Sequence, residues 1–394
     1  MSGGIVQLVA TGAQDAWLTG KPEVSFFRSN YRRYTHYANT VERQVIQGAP
    51  IAGGISTVRF EKKGDLINYV YLAARDGNGS MCTIVDWSKV IDKIEFMIGG
   101  QVIDTQDVVY STQIEPVTGA QNYSQRLLIG NTGDNEDPTN SVTGFYPLKF
   151  FFNKDWSVSL PLVALQFHDV ELRITWSSSL ADSTAGFFTA PGANNGPQIA
   201  NYNNLQYICW TNFTYLDQAE RDFFANTPQD MLITQVQRTI VMGSETMQEL
   251  ALAQPVKFIA FTSNNYSQAY GALGVNSALV KDHMLKTQVN GTDVGEFRHL
   301  PAFVELPQYY NTPFGYLPNG VNAGTANVGM ISYCLDTSKL QPTGTLNFSR
   351  LDTYRLVVPP TITIGALIKS TYLYAISYNV LRIQNGLGSV LYSS

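Results

Sequence analysis

The sequence predicts an all-β protein built from two copies of one β-domain, and three observations carry that prediction. Charged residues make up only 14% of the 394 positions, against roughly 25% in average soluble domains. The balance is rich in Asn, Gln, Ser, Thr, Gly and Tyr, which favours strands, turns and polar loops. Hairpin turns containing glycine close alternating segments in both halves, and a Pro–Leu–Phe pattern follows each of them. The length suits two ordinary domains, and 44% hydrophobic content can fill a core in each.

Along the chain, Val58–Phe60 and Leu66–Leu72 read as strands joined by the turn Lys62-Lys63-Gly64-Asp65. Lys93–Ile98 places Ile94, Phe96 and Ile98 on one face, as a half-buried strand requires. Gly99-Gly100 then supplies the positive φ angles of a tight hairpin, and Asn290-Gly291 does the same after Leu285–Val289. The segment Pro161–Glu171 aligns with Pro342–Asp352, with leucine, phenylalanine, an aliphatic residue and an acid at matching positions. This alignment predicts a strand through His168-Asp169.

Between the copies, Asp217–Gln229 reads as a linking helix. Asp217 is its N-cap and Glu220 stands at the capping-box position. Ala219, Phe223 and Phe224 are expected against a domain, with Glu220, Arg221 and Asp222 wet, until Pro228 stops the helix. Loops are expected at Asn131–Thr143, Ser177–Asn204, Asn264–Asn276 and Tyr309–Asn327. The resulting division is an N-terminal arm at 1–24, a first domain at 25–216, the linker at 217–229, and a second domain with its tail at 230–394.

Composition also excludes functions. The net charge is −5, whereas a protein that neutralises phosphates carries a basic excess; direct genome binding is not expected. Apolar runs such as Leu160–Leu165 and Phe258–Phe261 fall far short of the roughly 20 residues that span a bilayer. Met1-Ser-Gly-Gly lacks a signal peptide's charged start and apolar middle, so synthesis in the cytosol is expected. Cys82, Cys209 and Cys334 are far apart and read as reduced, partly buried thiols.

The chemical motifs are weak. Gly12–Lys21 ends in Gly-Lys, but the spacing is wrong for a phosphate loop and Pro22 follows. His36, His168, His283 and His299 form no metal motif, and His168-Asp169 reads as structure because its counterpart in the second copy is Ser349. Asp134–Asp137 lacks the spacing of a calcium loop. Six sequons begin at Asn78, Asn122, Asn212, Asn265, Asn290 and Asn347, as an Asn-rich chain yields by chance. No catalytic residue, cofactor or metal site is expected.

The densest signal is Gly12–Tyr37, GAQDAWLTGKPEVSFFRSNYRRYTHY. Trp17, Phe26, Phe27, Tyr31 and Tyr34 interleave with Arg28, Arg32 and Arg33, residue types that are enriched at contact surfaces. Protein contact fits this block better than nucleic acid or lipid, given the acidic chain. The block closely resembles the N-terminus of the major capsid proteins of nucleocytoplasmic large DNA viruses, where the pattern is roughly GAQD-x-x-LTG-x-P-x-x-x-FF-x-x-x-YRR-x-T. Further similar blocks are Gly64–Ile67, Ile98–Asp104, Leu160–Leu172, Asn347–Asp352 and Tyr378–Ile383.

The resemblance implies two tandem eight-stranded jelly-roll sandwiches, a double jelly roll. It also implies a homotrimeric, pseudo-hexameric capsomer that tiles an icosahedral virion shell, with loops crowning its outer face. Trp17, Phe26, Phe27, Arg28, Tyr31, Arg32, Arg33 and Tyr34 would form an interface clasp. Partners would be other copies of the chain, minor capsid proteins and an inner viral membrane. Two alternatives are a minor capsid or spike protein of the same virus class, and a β-sandwich carbohydrate-binding protein.

Overall fold

The computed structural model describes residues 2–10, 12–29, 31–77, 79, 81–84, 87–119, 145–181, 186–189, 198–199, 202–262, 282–313, 328–368 and 370–392. The chain divides into two compact units, Met1–His36 and Tyr37–Ser394. In the larger unit the strands are β1 Tyr37–Gln44, β2 Ile46–Gln47, β3 Ile55–Arg59, β4 Leu66–Arg75, β5 Met81–Ile84, β6 Ile91–Ile98, β7 Gln101–Asp107, β8 Phe145–Pro147, β9 Leu160–Pro161, β10 Val170–Trp176, β11 Gly186–Thr189, β12 Gln198–Ile199 and β13 Gln206–Leu216. They continue with β14 Gln229–Ile240, β15 Met247–Glu249, β16 Pro255–Thr262, β17 Met284–Val289, β18 Thr292–His299, β19 Val328–Ser332, β20 Leu346–Asn347, β21 Tyr354–Val357, β22 Tyr372–Gln384 and β23 Leu387–Val390.

These strands make four antiparallel sheets. The first runs β1-β13-β4-β5-β11-β12, with β8 and β9 also on β4, and the second runs β2-β3-β10-β6-β7. The third runs β14-β22-β16-β19, with β20 on β16 and β23 on β22, and the fourth runs β15-β21-β17-β18. One order therefore occurs twice: β1-β13-β4 corresponds to β14-β22-β16, and β3-β10-β6-β7 corresponds to β15-β21-β17-β18. The two hairpins match within this scheme. Gly99 and Gly100 take φ of +57° and +80°, and Asn290 and Gly291 take +49° and +78°.

Each pair of sheets closes on its own apolar core. In the first, Ile94, Phe96 and Ile98 are buried with Phe150, Phe151, Phe152 and Trp176, and the rings of Phe96 and Phe152 lie 5.0 Å apart. Burying such a ring contributes about 1.5–3 kcal/mol. The second core gathers Leu285, Phe303, Phe348, Tyr354 and Leu356. All three cysteines are buried thiols.

Several expectations change in detail. Past Pro161 the chain turns instead of continuing as a strand, and β10 begins only at Val170. The reason is non-local: the Leu165 and Gln166 carbonyls accept Lys62 Nζ at 2.6 and 2.9 Å, and Phe167 N donates to the Gly386 carbonyl. Ser177–Asn204 carries β11 and β12, so it is not loop throughout. Asn131–Thr143 and Asn264–Asn276 lie outside the described residues, as does Tyr309–Asn327 beyond residue 313.

Tyr309 and Tyr310 instead end a helix, Pro301–Tyr310, which begins with proline at its first position. The linking helix spans Gln218–Asn226, capped by Asp217 through Gln218 N. Phe223 and Ala219 are exposed on it, while Glu220, Phe224 and Ala225 are half-buried. Its anchor is ionic: Arg221 Nε lies 3.1 Å from Asp65 Oδ1, and Asp65 Oδ2 accepts Leu216 N at 2.9 Å.

Candidate assembly surfaces

The N-terminal unit, Met1–His36, takes in the arm and the residues beyond it up to the first strand, and has little of its own to fold around. It contains a helix Ser2–Val9, a short 3-10 turn Ala13–Asp15 and one helical turn Ala16–Thr19. Asp15 organises the centre, accepting Gly12 N at 3.1 Å through its side chain and Thr19 Oγ1 at 2.9 Å through its carbonyl. Lys21 then takes a φ of +56° and Pro22 ends any helical run.

Every predicted contact residue lies on this unit, and all are exposed. Trp17 is 96% exposed, Phe26 94% and Phe27 97%, with Tyr31 and Tyr34 only slightly less open. Arg28, Arg32 and Arg33 are exposed beside them, and none has an ion-pair partner among the described residues. Apolar side chains at Ile5, Val6, Leu8 and Val9 are also exposed; the sequence analysis does not single them out, although Ile5–Ala10 is apolar but for Gln7. Rings left in water this way forgo the stabilisation of burial.

A second feature is the junction between the two sandwiches. Tyr110–Ile114 forms a π-helical turn that runs into the helix Glu115–Thr118, and the two are largely buried. Tyr110, Ile114 and Val117 pack with Phe258, Ala260, Met330, Tyr374 and Ile376 in a third apolar cluster that spans both sandwiches.

Polar side chains stitch this cluster at its rim. Asp107 Oδ2 accepts Tyr374 Oη at 2.8 Å, with Arg238 Nη1 at 3.4 Å, while Oδ1 accepts Tyr110 N at 2.9 Å. Asp104 Oδ1 accepts Val236 N, a backbone donor on edge strand β14, at 2.9 Å. Gln235 bridges further, donating to the Ile103 carbonyl and accepting Asn379 Nδ2 at 2.8 Å. Burial pushes the Asp104 carboxyl up to about 6, although the Val236 and Gln106 hydrogen bonds oppose it. Sequence reading missed all of these, because no local pattern distinguishes them.

The C-terminal hairpin β22–β23 makes a third tie. His168 Nδ1 lies 3.0 Å from the Gly388 carbonyl oxygen and 3.2 Å from its amide nitrogen. Asp169 turns away to Arg59 at 2.5 Å, so the two neighbouring side chains have separate partners. Among the described residues no group of three or more His, Cys, Asp or Glu could hold a metal ion.

Comparison with known proteins agrees with this architecture. A family model described as the major capsid protein N-terminus matches residues 25–217. The major capsid protein of Paramecium bursaria Chlorella virus 1 is 31% identical, with all of both chains covered. That of Pyramimonas orientalis virus is 28% identical, again over the whole of both. A quasi-atomic model of the PBCV-1 capsid superposes with a TM-score of 0.70 at 25% identity, covering 94% of this chain and 100% of that one. The Faustovirus major capsid protein shares the fold at a TM-score of 0.61 and 11% identity, with 97% of each chain covered. The architecture is a double jelly roll.

Proposed function

Because the chain belongs to the major capsid protein family of large DNA viruses, we propose that three copies associate into a capsomer whose six jelly rolls give a pseudo-hexagonal outline and tile an icosahedral shell. The observation that carries this reading is the recurrence of one strand order in both halves of the chain. A trimer of such a chain presents six similar flanks, so hexagonally arranged neighbours can pack nearly equivalently. The buried junction supports it further, since flanks tile reproducibly only if the two rolls keep a fixed relation.

In this reading the mechanism is passive and needs no catalysis. The arm clasps neighbouring subunits or the underside of the shell through Trp17, Phe26, Phe27, Tyr31, Tyr34 and the arginines Arg28, Arg32 and Arg33. Guanidinium groups there pair with carboxylates of the partner. Minor capsid proteins are its further partners, and an inner viral membrane is a peripheral one. Among the described residues no helix is long and apolar enough to cross a membrane. The chain is made in the host cytoplasm and resides in the virion shell.

Light scattering behind a sizing column tests the proposal. A mass near three times 43.6 kDa, stable on dilution, is expected; a clean monomer at all concentrations would contradict it.

A further inference from the structure

A cleft of about 110 Å³ opens between the two jelly rolls beside the junction cluster, with Lys154 and Asp155 from the first roll facing Lys257 and Ser338 from the second. Its floor is tied across the rolls by Thr337 Oγ1, which donates to the Thr118 carbonyl at 2.8 Å. The charges in it are unevenly satisfied. Among the described residues Lys257 Nζ donates to neutral carbonyls alone, Thr337 O at 2.7 Å and Lys339 O at 3.1 Å. Lys154 Nζ has the Tyr110 hydroxyl at 3.3 Å. Among the described residues neither ammonium has a carboxylate within ion-pair distance.

Among the described residues two carboxylates also line the cleft, Glu115 and Asp155, and the charges of Glu115 and Asp104 help to hold the Lys154 ammonium above its ordinary value against burial. Glu115 Oε2 is 3.1 Å from Lys149 Nζ, and Asp155 Oδ1 accepts both the amide and the hydroxyl of Ser157. Among the described residues each lysine keeps at least one N–H without a partner, because an ammonium has three. Burial pushes the Lys257 ammonium down to about 8, and the neighbouring Lys154 charge adds to that push. A charge held in so poor a setting gains when an anion is supplied.

We propose that this cleft binds one small oxyanion of the inorganic phosphate class, held between Lys154 of the first roll and Lys257 of the second. Bound there, the anion bridges the two rolls with charge-assisted hydrogen bonds and stiffens their junction.

The test is calorimetric titration of inorganic phosphate into the full chain at fixed ionic strength, with chloride as the background salt. Saturable binding of one phosphate per chain is expected, weakened about tenfold or more in Lys154→Met and in Lys257→Met, as loss of one charge-assisted hydrogen bond implies. Lys89→Met, outside the cleft, should bind as the unmodified chain does. Lys154 is exposed, so its variant keeps the test decisive if Lys257→Met fails to fold. Absence of saturable binding, or equal weakening in Lys154→Met and Lys89→Met, would overturn the proposal.

Discussion

The Tyr374 hydroxyl donates to the Asp107 carboxylate at 2.8 Å, joining residues 267 positions apart across the junction of the two rolls. Tyr374 is fully buried and its ring packs 6.1 Å from that of Tyr110. Tyr374→Phe keeps the packing and removes only the donor. A hydrogen bond to a buried charge is worth about 1.5–3 kcal/mol, so thermal unfolding should shift down by a few degrees. An unchanged melting temperature would mean that this bond does not hold the rolls together.

Asp104 predicts a pH dependence. Its folded value of about 6 lies above the ordinary 3.8. Between those values the folded state holds a proton that the unfolded state has released. The group's contribution is therefore fully present below about pH 4 and is lost as pH rises to about 6, on the order of 3 kcal/mol in total. Denaturant unfolding of Asp104→Asn and of the unmodified chain, at pH 4.5 and pH 7, isolates it from other carboxylates. The difference in stability between the two chains should change with pH; a constant difference would refute the assignment.

Gly99 and Gly100 separate strain from contact. Both have positive φ, but a Cβ on Gly99 would sit 2.5 Å from His168 Nδ1, whereas one on Gly100 meets nothing within 4 Å. Gly100→Ala should cost only about 1–2 kcal/mol of left-handed strain. Gly99→Ala should cost more, and should also loosen the β22–β23 hairpin that His168 holds, visible as faster proteolysis of the C-terminus. Equal losses in the two variants would show that His168 can move aside freely.

Modification of the sequons can be predicted from burial. Asn212 is 2% exposed; its Nδ2 donates to the Thr40 carbonyl and its Oδ1 accepts Asn68 Nδ2. Intact-mass and peptide mapping of chain from infected cells should find Asn212 bare. A glycan at Asn212 would contradict the β1–β13 pairing.

The arm should matter to assembly and not to folding. Phe26→Ala with Phe27→Ala leaves the melting temperature of the isolated chain unchanged, since both rings are exposed. Truncated hot-spot aromatics typically cost an interface 2 kcal/mol or more, so trimers or lattices should be impaired. Deleting Met1–Arg33 should do the same while leaving soluble domains; normal assembly of either variant would remove the arm from the interface.

What the sequence makes legible is what local chemistry encodes. Gly99-Gly100 and Asn290-Gly291 announce their hairpins because few residues tolerate positive φ. Ile94, Phe96 and Ile98 announce a buried face by alternation. The arm's aromatic and arginine block stands out by density alone. By contrast, the turns after Pro161 depend on Lys62 and Gly386, far away in the chain, so an apparent strand pattern misled. The helix Pro301–Tyr310 is masked by its two prolines, although the first sits where a helix tolerates it. Asp104, Asp107, Gln235 and Tyr374 acquire meaning only when the two rolls meet.

The central claim, a trimer of double jelly rolls that tiles a shell, is tested most directly by electron microscopy of the purified chain. Class averages with threefold symmetry and a pseudo-hexagonal outline are the predicted result. Particles that average to single two-lobed chains, or to rings of any other symmetry, would contradict it.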